Sequence, residues 1–369
     1  MDTVKEREVI IVGAGPSGLS CAKVLGDSKI KTVVLERASV PGKKNFYGGL
    51  VTKDLFESIF GSFNIKKGQA ISYYRAYFLK EDTFLSINQR DSKEKTFTVL
   101  REEINNQMIE RVKNAGVSVI TETLADELII KDQKVIGVKT REKNYFADVV
   151  IIAEGVQSVL TKKSGLRKGE LTPNQIMLFI EENISIKENH LEERFNINKN
   201  ESVAIKLFIN FKSLNGMGYL YTNKNSVTIG TGILLSDSIK TGMNINAFQE
   251  RIKDHPGINT LIKDGVTTHF SSYTLPVSVC GIDIPFPNIC TDGCLVIGGA
   301  ALMVNLHDWD LSNLPIQSGK FAADTIISAK GLNDYSRASL SNYEGLIKTK
   351  IEEMKKTEKL SDLNKVIFQ

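Results

Sequence analysis

Apolar positions fall along this chain in three rhythms, and each predicts a different element. The first is the short, unbroken run. Glu8 to Val12 is one such run and reads as a strand; a glycine turn follows, then a helix over Leu19 to Gly26 and a second strand over Lys31 to Leu35. Strand, turn, helix and strand within about thirty residues form one βαβ unit with parallel strands and a right-handed crossover. Asp148 to Ala153 and Gly293 to Gly299 repeat the unbroken pattern, which suits strands buried on both faces. The second rhythm is helical. Glu102 to Asn114 sets Ile104, Met108, Ile109 and Val112 on one face, Gln317 to Ala329 reads as another helix, and the lysine-rich stretch after Asn333 reads as an amphipathic surface helix. The third rhythm alternates. Ile71 to Asn88 and Val203 to Leu235 switch between apolar and polar residues with aromatic enrichment, the pattern of antiparallel strands in a separate sheet. Val117 to Ile120 adds a strand, and Glu127 to Lys139 a hairpin turning near Asp132-Gln133.

Composition narrows this picture without changing it. The 369 residues are 41% hydrophobic and 24% charged, the balance of a globular chain able to bury a core. A net charge of +4 is small for this length and gives no reason to expect a nucleic-acid partner. Four cysteines, Cys21, Cys280, Cys290 and Cys294, are too few for a disulfide scaffold. The longest apolar run, Cys294 to Leu306, contains two glycines and is too short to span a bilayer. The expectation is a cytoplasmic protein without a transmembrane segment, peripheral membrane contact remaining open.

The chemistry begins at Gly13-Ala14-Gly15-Pro16-Ser17-Gly18, which lies between the first strand and its helix. In a dinucleotide-binding turn the first glycine permits the tight bend, the second lets backbone approach a diphosphate, and the third lets helix and strand pack closely. The helix N-terminus then faces the phosphates with its dipole. Glu36 closes the second strand about twenty residues on, where an acid hydrogen-bonds ribose hydroxyls and suits FAD or NAD better than NADP. Two adjacent glycines, Gly48 and Gly49, follow a basic and aromatic loop and suggest backbone lying near a flat ligand.

With these residues in place the chain resembles the FixC-type flavoproteins, relatives of electron-transfer-flavoprotein:quinone oxidoreductase and of the geranylgeranyl reductases. The resemblance runs through Glu36-Arg37, Lys44-Asn45 and Gly48-Gly49, then Thr98 to Arg101, Ala147 to Gly155, Glu193 to Phe195, Tyr221 to Lys224, Tyr273 with Pro276, Asp292 to Ala300, Asn305 to His307 and Ser318-Gly319. It implies that FAD is the cofactor and that Gly13, Gly15, Pro16, Ser17, Gly18, Glu36, Arg37, Lys44, Asn45, Gly48, Gly49, Arg101, Glu154, Gly155, Gly299 and Asn305 are its contacts. The chain also departs from the pattern. The family has Gly-Asp-Ala where Gly298-Gly299-Ala300 stands, an Arg-Gly pair near Ser312-Asn313, and an acid where Cys280 stands. The resemblance also implies that His307 and Asp308 flank the flavin as acid–base candidates, that Trp309 either stacks on the ring or packs, and that Cys280 is a further site candidate.

The fold expected from all this is α/β: a Rossmann-type FAD-binding domain with an inserted antiparallel β-sheet substrate domain. Residues 1–71, 96–160 and 289–330 would form the first, 72–95 and 161–288 the second, and 331–369 a helical tail. The function expected is an FAD-dependent oxidoreductase that reduces or dehydrogenates a small organic or lipid-like substrate, with NADH or NADPH as a transient reductant. An FAD monooxygenase using a flavin C4a-adduct, and an electron-transfer subunit with a protein partner, are the alternatives. No resident metal is expected, since Cys294 sits in an apolar strand and reads as core.

Overall fold

The computed structural model describes residues 7–42, 49–64, 66, 68–90, 95–167, 169–211, 214–276, 288–304 and 313–360, with backbone alone for 355–360. The chain opens with strand β1 (Val9–Val12), helix α1 (Pro16–Asp27) and strand β2 (Thr32–Leu35). A short strand β3 (Gly49–Thr52) and helix α2 (Lys53–Phe60) follow, then a long hairpin of β4 (Tyr73–Lys80) and β5 (Thr83–Arg90). Next come β6 (Thr96–Val99), α3 (Arg101–Asn114), β7 (Ser118–Ile120), a three-stranded meander of β8 (Ala125–Lys131), β9 (Lys134–Thr140) and β10 (Asn144–Phe146), then β11 (Val149–Ile152) and α4 (Val159–Lys163). The second half begins with β12 (Ile176–Ser185), α5 (Glu188–Phe195), β13 (Val203–Phe211), β14 (Leu214–Asn223) and β15 (Ser226–Leu234). It continues through α6 (Leu235–Thr241), α7 (Ile245–Asp254), α8 (Pro256–Ile262) and β16 (Val266–Pro276). The chain then returns through β17 (Cys290–Thr291), β18 (Cys294–Val296) and a 3-10 turn over Gly298–Ala301 to α9 (Asn313–Leu332), α10 (Arg337–Leu340) and α11 (Asn342–Leu360).

Two large sheets organise these elements. One is six-stranded, in the order β17-β18-β11-β1-β2-β7, and parallel except for β17. Its central strands are the unbroken apolar runs, Val-Ile-Ile-Val in β1 and Val-Val-Ile-Ile in β11, every residue buried. A strand covered on both faces has no polar side to show, which is why these segments do not alternate. The other is seven-stranded, in the order β16-β12-β15-β14-β13-β4-β5. The fold is therefore the mixed α/β arrangement expected. One pairing differs. The two alternating stretches were expected as antiparallel strands, but β4 runs parallel to β13, Tyr73 opposite Val203 through Leu79 opposite Ile209. More than a hundred residues separate these strands in sequence, so no hairpin forces them to oppose.

The amphipathic tail also needs amending. Helix α9 runs to Leu332, past the expected start of the tail, and Tyr335, Leu340, Tyr343, Ile347 and Ile351 are buried in the same core as β1 and β11. The tail's apolar face closes the six-stranded sheet's layer instead of lying on the surface. Among the described residues no helix is long and apolar enough to cross a membrane.

On one side of the seven-stranded sheet, α5, α7 and α8 bury Phe195, Phe248, Ile252 and Ile258 against Ile205, Leu207 and Ile229. Within this apolar layer sits the buried Glu182 of β12. Its carboxylate accepts hydrogen bonds from Thr267 Oγ1 (2.9 Å), Lys253 Nζ (3.2 Å) and Gln249 Nε2 (3.3 Å), tying α7 to β12 and β16. Burial pulls the Lys253 pKa down, but hydrogen bonds and attraction to Glu250 and Glu182 outweigh it, and the ammonium ends above the ordinary lysine value. Replacing Glu182 with Leu should lower unfolding stability by about 1–3 kcal/mol, because three donors lose their acceptor inside the layer. Urea denaturation at neutral pH reads this directly. Lys253 has a raised folded-state pKa, so its contribution is fully present below the unfolded lysine pKa and fades as pH rises through the folded one. The gap between wild type and Lys253→Met should accordingly stay constant through neutral pH and narrow only in strong alkali.

Candidate functional site

Strands β1, β2 and β11 end side by side, at Val12, Leu35 and Ile152. A crevice opens beyond the carboxyl ends of such parallel strands, and the turn after β1 forms its floor. Gly13 makes the bend at φ +108°, a left-handed value that a side chain resists, and any Cβ there would also collide with the Ala153 carbonyl oxygen. A Cβ at Gly18 would collide with the Gly13 carbonyl, so α1 packs onto the turn with no room for a methyl group. At Gly15, by contrast, the backbone is extended (φ −79°) and nothing lies within 4 Å of where a Cβ would stand. The space beside Gly15 is the cavity itself.

The start of α1 is built to receive an anion. No side chain caps it, no acidic residue stands in its first turn, and Pro16 occupies its opening positions. Its first backbone N–H groups therefore face the crevice with the positive end of the helix dipole. Glu36, at the end of β2, holds this turn from the other side: its carboxylate accepts from Ala14 N (2.8 Å) and Ala38 N (2.9 Å). Each carboxylate oxygen keeps a further lone pair for a hydroxyl donor.

From this floor a cavity of about 410 Å³ extends along the domain. Its wall includes Gly13, Gly15, Pro16, Ser17, Glu36, Arg37, Arg101, Glu154, Gly155 and Gly299 of the expected contacts. Gly18 and Gly49 are not on the wall; Gly18 lies beneath the turn, and Gly49 opens β3, paired with Val99 of β6. Lys44, Asn45, Gly48 and Asn305, together with His307, Asp308, Trp309 and Cys280, lie outside the described residues. Glu154 reaches the wall with its carboxylate already engaged. It accepts from Leu160 N (2.8 Å), Thr161 N (2.7 Å) and Thr161 Oγ1 (2.7 Å), capping the first turn of α4. Gly299 faces Val156, whose Cγ1 and amide nitrogen both lie 3.0 Å from where a Cβ would stand.

Several further wall residues are not among the expected contacts. Asn105 stands one turn along α3 from Arg101, and the two are buried together at 1% and 6% exposure. The i, i+4 spacing after Arg101 is the signal that marks it in sequence. Leu124 and Val159 flank the Glu36 end and are 53% and 48% exposed, apolar surfaces at the mouth able to cover a flat ring. At the opposite end Tyr273 and Leu275 reach the wall from β16.

Behind those two residues the seven-stranded sheet presents an aromatic face. The Phe179 ring stacks with Tyr273 (centroids 5.4 Å apart) and Tyr219 (5.6 Å), and Tyr219 stacks in turn with Tyr221 (5.6 Å). Tyr219 on β14 donates its hydroxyl to the buried Glu181 on β12, reaching across β15. It can do so because β15 has Gly230 at the crossing, where a Cβ would sit 2.6 Å from Tyr219 Cζ. Burial, then the Glu181 charge, push the Tyr219 hydroxyl well above its ordinary pKa, so it stays protonated. The cavity thus joins two chemistries: an anion- and hydroxyl-binding end at α1 and Glu36, and an apolar, aromatic end backed by one buried carboxylate.

The Thi4 family pattern matches residues 1–160. Over its length the chain is 30% identical to Protein FixC of Azorhizobium caulinodans, across 96% of this chain and 84% of that protein. It is 29% identical to the probable electron transfer flavoprotein-quinone oxidoreductase YdiS of Escherichia coli (strain K12), across 91% of this chain and 80% of that protein. Among solved structures, a geranylgeranyl bacteriochlorophyll reductase-like protein from Thermoplasma acidophilum superposes with a TM-score of 0.77 at 21% identity, covering 93% of this chain and 83% of that one.

The three turn glycines should fail in different ways. Gly13→Ala and Gly18→Ala strain the backbone or force α1 off the sheet, so both should lower the melting temperature of the ligand-free protein. Gly15→Ala has room for its methyl group and should melt like wild type. That methyl group stands where a diphosphate would approach, so dinucleotide affinity should fall about tenfold or more, a cost of about 1.4 kcal/mol. Thermal melts and equilibrium titration with FAD separate the two kinds of loss.

Proposed function

The chain belongs to the FixC family of FAD-dependent oxidoreductases, and from that premise we propose that it is a reductase or dehydrogenase acting on a small organic or lipid-like substrate held against the aromatic sheet face. The observation that carries this reading is the continuity of one cavity from the uncapped α1 N-terminus to Tyr273 and Leu275. The α1 end would hold a cofactor's phosphates, and the aromatic end would face the chemistry that the cofactor supplies.

The residues present fit FAD. Beside the open face of Gly15, the α1 N-terminus would hold the pyrophosphate, Glu36 the adenosine ribose, and Arg101 would add positive charge along the wall. When bound, FAD supplies the hydride and electron chemistry. The protein's part is to bind, orient and exclude water. Leu275, Phe179 and Tyr273 give an apolar substrate a dry surface beside the cavity. Tyr219 holds its proton at Oη against Glu181 and offers a fixed polar contact at the edge of that surface. His307, Asp308, Trp309 and Cys280 are assigned to the flavin-ring end on the family resemblance, with His307 and Asp308 as the proton-transferring pair. NADH or NADPH would reduce the flavin transiently.

The naming of YdiS favours a second reading, in which electrons arrive from a flavoprotein partner and leave to a quinone-like acceptor. One anaerobic experiment separates the two. Purified protein should show oxidised-flavin absorbance and release one FAD per chain on denaturation. Bleaching by NADH or NADPH, followed by reoxidation with an organic substrate, supports the reductase reading. Bleaching only by a reduced electron-transfer flavoprotein supports the second. Oxygen uptake coupled to hydroxylated product would replace both with a monooxygenase, and protein that takes up no FAD at saturating cofactor would end the flavin reading.

A further inference from the structure

The geometry points to a two-fold dimer of this chain, in which the outer edge of β5 pairs antiparallel with β5 of a second copy and Ser86 faces its own counterpart. β5 is the terminal strand of the seven-stranded sheet, and all eight of its residues are exposed. Among the described residues no strand lies along its outer edge. Sheet edges that stay open in solution carry bulges, prolines or lysines that discourage pairing. β16, at the opposite edge, breaks register with β12 between Asn183 and Ile184. β5 has none of these devices and pairs with β4 residue for residue. On one face it shows Leu85 (58% exposed) and Ile87 (45%) to water. The hairpin is held still from within the molecule: Phe84 stacks on Tyr77 (centroids 5.4 Å apart), and Glu81 of the turn pairs with Arg251 of α7 (3.0 Å).

The strand's own sequence selects the occupant. The hairpin turn is two residues, Glu81-Asp82, so the flanking pair Lys80 and Thr83 exchanges main-chain bonds, and Leu85, Ile87 and Gln89 bond to β4 in turn. Phe84, Ser86, Asn88 and Arg90 therefore direct their N–H and C=O groups outward. A two-fold axis normal to the sheet requires one residue to face its own copy. With Ser86 at the axis, Phe84 meets Asn88, Leu85 meets Ile87 and Arg90 meets Asp82 of the exposed turn, each pair occurring twice. Apolar and opposite-charge pairs directly across two strands are both favourable. An axis one residue nearer the turn sets Arg90 against Lys80. An axis one residue further away sets Leu85 against Gln89 and Phe84 against Arg90. Of the three registers, the one centred on Ser86 alone matches both the apolar and the charged positions. The Arg90 side chain is 71% exposed, and its 3.6 Å approach to Glu201 is a surface pair of little worth, so it is available to Asp82 of the second copy. Each copy has one such edge, so the assembly closes at two.

Sedimentation velocity of the full chain should show a dimer that dissociates on dilution. Ser86→Pro removes an outward N–H without touching the bonds to β4, so it should sediment as a monomer with the wild-type melting temperature. Should proline disturb the hairpin, the double variant Leu85→Lys, Ile87→Lys gives the same readout by charge repulsion. Arg90→Asp should weaken the dimer about tenfold, equivalent to about 1.4 kcal/mol, and adding Asp82→Arg should restore it. Ser86→Cys should form an intermolecular disulfide on mild oxidation, because directly bonded partners have Cα atoms about 5.5 Å apart. Asn88→Cys, whose copies would stand about 14 Å apart along the strands, should cross-link no more than wild type. A wild-type monomer at the highest soluble concentration overturns the inference, whatever other protein then covers the edge. So does a dimer that the Ser86→Pro and double-lysine variants leave intact, a species larger than a dimer, or cross-linking at Asn88 equal to that at Ser86. None of these readouts involves FAD, so the flavin reading stands or falls separately.

Discussion

The contact between the start of α1 and the ends of β1 and β11 sets the position of every other wall of the cavity. Because neither Gly13 nor Gly18 carries a side chain, the helix begins directly beyond the sheet instead of a layer above it. Its N–H groups then lie at the level of the strand ends, where Glu36 can reach the Ala14 amide and brace the turn. The same closeness brings α9 into register. Ser20 Oγ of α1 donates to the Ile316 carbonyl (2.8 Å), and Ser318 Oγ accepts from Gly298 N (3.0 Å). A methyl group at position 18 would thus be felt across the cavity floor and its far wall, well beyond one turn of backbone.

The opposite wall solves a different problem. A sheet face that meets a ligand must be apolar enough to stay dry but still hold a polar group where needed. The glycine of β15 at position 230 lets an aromatic ring from β14 lie flat over the neighbouring strand. The stack Tyr273, Phe179, Tyr219 and Tyr221 then spans several strands as one rigid surface, and Glu181 is satisfied by a hydroxyl within it. Such a surface orients a ligand at low entropic cost because the rings are already fixed by each other.

What could be read from sequence was local. The glycine turn and Glu36 follow from a few consecutive residues, Arg101 from the family resemblance, and the unbroken apolar runs announce strands buried on both faces. What could not be read depends on partners far along the chain. The parallel pairing of β4 with β13 leaves no trace in either strand's alternation. Tyr273 and Leu275 reach the wall only because β16 lies beside β12 at the edge of the sheet. Glu154 shows the limit most sharply. Its position beside Gly155 points to the cavity, but its carboxylate is taken up by backbone and hydroxyl donors of α4 six and seven residues later. Spacing identifies which residues arrive at a site, while hydrogen-bond competition decides what their side chains do there.

The same reasoning bears on Gly299, where the family pattern has an acid. Considered alone, the glycine is a lost hydrogen bond. In the folded chain it is half of a pair, because Val156 fills the space that the side chain would enter, its Cγ1 and amide nitrogen both 3.0 Å from the Cβ position. Val156 lies on the cavity wall beside Gly155 and packs near Phe179, Tyr219 and Tyr273. A side chain at 299 would therefore require Val156 to give by a few tenths of an ångström. Here an apolar contact stands where the family resemblance implies a charged one. That contact lies where the cavity wall meets the aromatic face, whereas the other end keeps the glycine turn, the uncapped start of α1 and the Glu36 brace.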